Sequence, residues 1–265
     1  MVNTLHNTLQ ELQTPAGNDL PLALPIGHLS VARCFEEILQ CGELTPQECK
    51  YFNDNLLYFS YGGILYHPPT TRTLDATCLP IAFLFAPEIL GRIDYYHPYD
   101  TGAAASKKYG SEWTTELQNF NKYKILGDGC PRMPRKLIHH IYSSNKNYLA
   151  GQVHSSAQTL PNPFPDLYKF LTCDLPDVEI DHRQCTIECT TTKGVSLARG
   201  LLWIGYAEIK REEYAPRLSK FFLDYEGIVP PWEDTYSSRR NFSPGKCAEL
   251  LMEKAYERYV CRFVK

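Results

Sequence analysis

The alternation of apolar and polar positions near the start of the chain predicts a strand followed by a helix. In the segment "LALPIGHLS", Ile26 and His28 fall on the same face of the predicted strand. The residues after it place apolar side chains at helical spacing, and Ser30 is predicted to cap that helix. Gly42 suits the left-handed conformation in which many helices end. The segment therefore predicts a strand, a helix and a glycine stop.

Similar patterns predict the remaining elements. Strands are predicted over "NLLYFSYGGILYH", "LPIAFLFA", "RQCTIECTTT" and "GLLWIGYAEI". The second of these is apolar throughout, so we expect it to be buried on both faces. Helices are predicted over Ala103 to Tyr109, over "RKLIHHIYSSN", over "REEYAPRLSKFFLDY" from Pro216 onward, and over a closing segment capped by Ser243. The proline-rich run "TLPNPFPDLYKF" is expected to cross the surface as a loop.

Together the elements predict an α+β fold with a mixed or antiparallel central sheet and peripheral helices. Strands outnumber the room for regular βαβ units, and no G-x-G-x-x-G or Walker motif occurs. We expect an N-terminal arm or helix over residues 1–23. A single domain is expected over residues 24–265, ending in a helix over residues 243–262.

Composition and charge narrow the class of protein. The chain has 265 residues, 43% of them hydrophobic, which is typical of a folded domain. Its net charge of -3 provides no whole-chain attraction to nucleic acid or to a membrane surface. Without a signal peptide or a long apolar run, the chain is expected to be cytoplasmic with no membrane partner. The 10 cysteines are dispersed and form no C-x-x-C pair, so we expect reduced thiols and no metal site.

The strand around Glu188 carries the most informative polar pattern. A period of two places Thr186, Glu188 and Thr190 on one face, with Glu188 as its single carboxylate. Either this face meets solvent, or the strand lines a cleft in which Glu188 acts as the functional carboxylate.

Three segments together resemble the ADP-ribosyltransferase superfamily in its histidine–tyrosine–glutamate form. "IGHLSVARCFEEILQCGEL" is similar to the strand, helix and glycine-stopped turn that open that fold, and "LYFSYGG" to its tyrosine segment. "RQCTIECTTTKGVSL" is similar to the glutamate strand of the DNA-modifying ADP-ribosyltransferase toxins. The resemblance implies a split central sheet and NAD as a substrate.

The resemblance also implies roles for individual residues. Glu188 would grip the ribose 2′-hydroxyl and face the positive charge that develops as the nicotinamide–ribose bond breaks. His28 would hold a ribose hydroxyl on the adenosine side, and Tyr61 would stack on the nicotinamide ring. Tyr66 is a further candidate for binding NAD, and Asp100 for contacting the substrate.

Two of these assignments have alternatives in the sequence. The tyrosine is to be chosen among Tyr58, Tyr61, Tyr66 and Tyr109. Glu179 or Glu208 could stand in place of Glu188.

These features favour an NAD-consuming ADP-ribosyltransferase or NAD glycohydrolase, acting as a toxin or defence effector on an acceptor that is protein, nucleic acid or water. A non-catalytic interaction module on the same fold is the alternative, because "PPWEDTYSSRR" would suit a surface for a protein partner. A hydrolase or nuclease is a third hypothesis, for which the candidate catalytic residues are His139, His140 and His154.

Overall fold

A central sheet organises the protein around its most continuously apolar segment. The computed structural model describes residues 4–13, 19–64, 75–173, 182–224, 231–236 and 243–263. Within them, the strand Pro80–Phe85 is buried at every position. The prediction of a central strand covered on both faces is therefore confirmed.

The strands and helices of the described residues are as follows. The strands are β1 (Ile26–Val31), β2 (Glu43–Leu44), β3 (Gln47–Cys49), β4 (Asp54–Tyr61), β5 (Pro80–Phe85), β6 (Tyr95–His97), β7 (Ile125–Leu126), β8 (Glu188–Thr191), β9 (Val195–Ser196), β10 (Leu201–Ala207) and β11 (Trp232–Tyr236). The α-helices are α1 (Leu5–Glu11), α2 (Phe35–Cys41), α3 (Thr101–Ala105), α4 (Ser111–Leu117), α5 (Phe120–Tyr123), α6 (Arg132–Tyr142), α7 (Asn145–Leu149), α8 (Phe164–Thr172), α9 (Arg211–Leu223) and α10 (Pro244–Arg258).

The main sheet runs in the order β11-β10-β5-β1-β4-β8-β6-β7, and β3 adds to β4. Its neighbours pair antiparallel except for β10 and β11, which are parallel. With helices packed around this sheet, the predicted α+β class is confirmed. A separate two-stranded sheet joins β2 to β9.

The main sheet splits between β1 and β4. β1 pairs with β5 along its whole length, from Ile26 to Val31, but with β4 only at Ile26 and Gly27. Beyond Gly27, β1 therefore continues with β5 while β4 continues with β8. The two halves of the sheet diverge at His28.

Helices cover both halves of the sheet. The larger buried cluster joins side chains of β1, β4 and β5 to those of α1, α6 and α8. Leu5 and Leu9 of α1 are fully buried in it, so the N-terminal helix is part of the main core. A second cluster lies where α10 packs on β5 and β10, around Trp203 and Leu251.

The first strand–helix unit is confirmed in outline and corrected in detail. Gly42 ends α2 in the left-handed conformation, with φ of 69°, as predicted. Ser30 is not a helix cap, because it pairs with Ile81 inside β1, and a 3₁₀ turn precedes α2. β-sheet pairing with β5 extends the strand past the point where local sequence preference would have started a helix.

Three further boundaries differ from prediction. The run "TLPNPFPDLYKF" contains the beginning of α8, in which Phe164, Leu167 and Phe170 are buried on one face. α9 begins at Arg211 and carries Pro216 inside it, five residues after the start, instead of beginning there. The strand predicted over "RQCTIECTTT" is confined to β8, and a 3₁₀ turn stands before it. The closing helix begins as predicted, with the Ser243 side chain capping it, but it ends at Arg258 and a 3₁₀ turn follows over Val260–Phe263.

Candidate functional site

A cavity of about 790 Å³ lies at the split in the sheet. Its walls come from β1 and β4, from β8, from α2 and α3, and from the turn between β3 and β4. This volume falls in the usual range for small-molecule and cofactor sites, ~300–1,000 Å³.

Gly27 shapes the corner at which the two halves of the sheet separate. A Cβ atom on Gly27 would lie 2.1 Å from the carbonyl oxygen of Gly63, which no side chain tolerates. The backbones of β1 and of the residues that follow β4 therefore meet here without intervening side chains, and Gly27 is itself part of the cavity lining.

Glu188 stands at the start of β8 with its carboxyl group in the cavity wall. The sheet pairs it with Ser60 of β4 on one side and with His97 of β6 on the other. Thr101, the first residue of α3, holds both carboxyl oxygens. Its hydroxyl donates to Oε1 at 2.6 Å, and its backbone N–H donates to Oε2 at 3.1 Å. The strand thus lines a cleft, and its polar face is turned away from bulk water.

Opposing effects act on the ionisation of Glu188. Burial raises the pKa of its carboxyl well above the usual value, and the nearby charge of Asp100 raises it further. The two hydrogen bonds from Thr101 act in the other direction, because they stabilise the ionised form. Burial is the largest of these effects.

His28 is half-buried at the point where the sheet divides, and it lines the same cavity. Its Nδ1 lies 2.8 Å from the carbonyl oxygen of Tyr58. A carbonyl only accepts hydrogen bonds, so Nδ1 carries the proton and Nε2 is left as an acceptor. Burial lowers the pKa of His28, which keeps the ring neutral. Such a ring can accept a hydrogen bond from a hydroxyl group at Nε2.

The structure separates the candidate tyrosines. Tyr58 lines the cavity, and its hydroxyl donates to Cys49 Sγ at 3.0 Å. Tyr61 is fully buried, and its hydroxyl accepts from the backbone N–H of Leu24 at 2.9 Å. Among the described residues Tyr61 is not part of the cavity lining, so the stacking role expected for it does not fit its position. Tyr66 lies outside the described residues. Tyr109 is buried and is also absent from the lining.

The remaining candidate residues differ in whether they line the cavity. Asp100 lines the cavity, where its carboxylate caps α3 by accepting from the N–H of Ala103 at 2.7 Å. Glu208 is exposed and does not line the described cavity. Glu179 lies outside the described residues. His28, Glu188 and Asp100 are therefore the sequence candidates that the fold brings together.

Sequence reasoning missed Thr101 and His97, both of which approach Glu188 from the β6–α3 segment. The string "HPYDT" indicates the start of a helix, because an aspartate before a threonine is typical of a helix N-terminus. Nothing local showed that this terminus would face Glu188, since that contact depends on the pairing of β6 with β8.

Other kinds of site are not seen in the described part of the chain. No helix there is both long and apolar enough to cross a membrane. In the same residues, no group of three or more histidine, cysteine, aspartate or glutamate side chains is placed to hold a metal ion.

Fold and site together define an α+β protein with a split, mostly antiparallel sheet and a ligand-sized cavity at the split. No family model matches the chain, and no curated protein matches it. Among solved structures, DarT of Thermus sp. 2.9 in complex with NAD+ is similar, with a TM-score of 0.44 and 10% sequence identity. That match covers 82% of this chain and 97% of the DarT chain. We therefore build the functional proposal on the residues of the cavity.

Proposed function

We propose that this protein consumes NAD by breaking the bond between nicotinamide and ribose, as an ADP-ribosyltransferase or an NAD glycohydrolase. One observation carries the proposal. Glu188 and His28, which the sequence resemblance singled out from distant parts of the chain, line one cavity. The acceptor is a protein, a nucleic acid or water, and the biological role is that of a toxin or defence effector.

In the proposed reaction, the charge of Glu188 supplies the main catalytic effect. Bond cleavage leaves nicotinamide with the bonding electron pair and makes the ribose resemble an oxocarbenium ion. An ionised carboxylate that accepts from the ribose 2′-hydroxyl and faces this charge binds the transition state more tightly than the ground state. Thr101 holds both oxygens and so fixes the direction in which Glu188 presents that charge.

NAD itself would help to ionise Glu188. Burial raises the pKa of this carboxyl, so the empty site favours the protonated form. The nicotinamide ring of NAD carries a positive charge, and a positive charge close to a carboxyl lowers its pKa. The substrate thus generates the catalytic form of the residue that acts on it.

His28 and Tyr58 have binding roles in this proposal. The Nε2 acceptor of His28 receives a hydrogen bond from a ribose hydroxyl, while its Nδ1–H keeps the ring fixed on the Tyr58 carbonyl. Tyr58 takes the ring contact that the sequence had suggested for Tyr61, because it is the tyrosine of the β4 segment that reaches the cavity. A ring contact of this kind contributes ~1 kcal/mol.

The test is nicotinamide release from NAD by the purified protein. Glu188→Gln keeps the shape but cannot carry the charge, so we expect release to fall by about 100-fold or more. Glu208→Gln is the matched control, because Glu208 is an exposed carboxylate outside the described cavity lining. Equal release from Glu188→Gln and wild type would contradict the proposal. NAD binding without any release would instead favour the non-catalytic interaction module.

A further inference from the structure

His97 is a buried histidine that faces Glu188 and has no part in the reaction described so far. The pairing of β6 with β8 places it directly opposite Glu188. Its side chain is almost completely inaccessible, and its Nδ1 lies 4.0 Å from Glu188 Oε1. This distance is too long for a direct hydrogen bond, and a proton shared between the two atoms requires the carboxyl to move toward the ring.

The hydrogen bonding of His97 determines which of its nitrogens carries the proton. Nε2 lies 3.3 Å from the backbone carbonyl of Phe120, so Nε2 is the protonated nitrogen. Nδ1 is then a bare acceptor, and it has no hydrogen-bond partner among the described residues. Burial lowers the pKa of His97 to about 3, so the ring is neutral. A buried acceptor without a donor is costly, so a donor that forms a hydrogen bond to this nitrogen would be stabilising.

Among the described residues, Asp100 and Lys124 are charged groups that act on the pair. Aromatic rings of Phe52, Tyr95, Tyr99 and Phe120 surround the imidazole. The titratable groups that act on the pair are Asp100, Cys49, Tyr58, Tyr95, Tyr99 and Cys189 around Glu188, and Lys124 near His97. Asp100 favours a proton on Glu188, and Lys124 disfavours one on His97. One proton, shared between the carboxyl and Nδ1, satisfies both groups.

We infer that His97 is a positioning residue that shares one proton with Glu188 and thereby enables Glu188 to take the proton of an acceptor nucleophile. The inference rests on the proposed function. In the step, the acceptor atom bonds to the ribose anomeric carbon while the carbon–nitrogen bond breaks and its electron pair leaves on nicotinamide. The acceptor's proton passes to Glu188, is held between Oε1 and the His97 nitrogen, and is then released to water.

This arrangement defines a substrate class. It serves acceptors that are neutral and must lose a proton as they react, such as a hydroxyl, an N–H group, a thiol or water. It gives no advantage to an anionic nucleophile, because such a nucleophile has no proton to lose. The choice of nucleophile therefore reports on His97 separately from cleavage of the nicotinamide bond.

The experiment compares two nucleophiles with NAD and the purified full chain. Methanol is the neutral nucleophile, and sodium azide is the anionic one. The variant is His97→Phe, whose ring suits the aromatic surroundings and lacks both nitrogens. His140→Phe is the control, because His140 also has a buried, unpartnered ring nitrogen and a pKa lowered to about 4, but does not line the cavity. Methyl-ADP-ribose, azido-ADP-ribose and free nicotinamide are measured.

We expect His97→Phe to lower transfer to methanol by about tenfold or more, as general-base assistance is lost. Transfer to azide should stay within about twofold of wild type. His140→Phe should match wild type with both nucleophiles. Equal loss with methanol and azide, or no loss with either, would overturn the inference while leaving the proposed function standing. A wild-type protein that releases no nicotinamide overturns the proposed function and the inference with it.

A second measurement covers the case in which His97→Phe does not fold. In nitrogen-15 spectra of histidine-labelled wild-type protein, His97 should be the Nε2–H tautomer at neutral pH. The Nδ1 resonance should move in Glu188→Ala, because its proton-sharing partner is gone. An Nδ1–H tautomer, or an Nδ1 resonance that Glu188→Ala leaves unchanged, would also overturn the inference.

Discussion

Replacing Thr101 by valine tests whether the hydrogen bonds from Thr101 control the ionisation of Glu188. Valine has nearly the shape of threonine but lacks the hydroxyl that donates to Oε1 at 2.6 Å, and it retains the backbone N–H that donates to Oε2. The lost bond is short, in the range of charge-assisted O–H···O⁻ contacts. Hydrogen bonds to charged groups contribute about 1.5–3 kcal/mol.

The free energy of the lost hydrogen bond corresponds to a shift in the pKa of Glu188, and the structure determines the direction of that shift. The Thr101 hydrogen bonds lower the pKa of a carboxyl that burial has raised, so removing one raises it further. At about 1.4 kcal/mol per pKa unit, the expected rise is ~1–2 units. The ascending limb of the pH profile for nicotinamide release should therefore move to higher pH by that amount, with most activity recovered on the alkaline side.

The assay is a pH profile of kcat and kcat/KM for nicotinamide release, and Thr101→Ser is the control because it keeps the hydroxyl. Thr101→Ser should stay within about half a unit of wild type. The reasoning fails if a folded Thr101→Val protein has the wild-type profile, or if its activity falls equally at every pH. The second outcome would mean that Thr101 places the carboxyl without affecting its charge.

Two further predictions concern stability. Because burial raises the pKa of Glu188 above its usual value, the unfolded chain ionises this group at lower pH than the folded protein does. The free energy of unfolding therefore falls as pH rises between the two pKa values. Thermal unfolding of Glu188→Gln should accordingly match wild type near pH 4 and show a stability gain that grows toward neutral pH, ~1.4 kcal/mol for each pKa unit; a gain that shrinks with pH would contradict it. Tyr61→Phe leaves the buried N–H of Leu24 without an acceptor, so denaturant unfolding should show a loss of about 1–3 kcal/mol, while KM for NAD should not change; a raised KM with intact stability would restore Tyr61 as a binding residue.

The elements that sequence predicts well are those in which local pattern and tertiary environment agree. β5 is apolar at every position because both of its faces are covered, and α10 carries its cap and first-turn proline in the sequence. Gly42 marks a helix end because the backbone there is in the left-handed conformation, which glycine adopts readily. In each case the signal lies within a few residues, so a single chain segment contains it.

Which residues reach the site depends on pairing between strands that are distant in the chain, and the sequence alone does not determine that pairing. Tyr58 and Tyr61 both belong to one strand pattern, and the register of β4 decides between them. Ser60 pairs with Glu188, which turns Tyr61 toward the core, where its backbone carbonyl accepts from the hydroxyl of Tyr148. A shift of one residue would have reversed these positions. His97 escaped notice for the same reason, since it approaches Glu188 only through the pairing of β6 with β8.

The candidate site combines forces that a purely structural carboxyl would not need. A buried carboxyl that served only stability would be expected to have its charge fully compensated, and here Asp100 adds negative charge beside it. His97 adds an acceptor where a donor would have stabilised the anion. The two hydrogen bonds from Thr101 oppose both effects. Burial and the charge of Asp100 thus raise the pKa of Glu188 against the Thr101 hydrogen bonds, and a positive charge placed close to the carboxyl would lower it. In the proposed function that positive charge is the nicotinamide ring of NAD, which would favour the ionised form of Glu188.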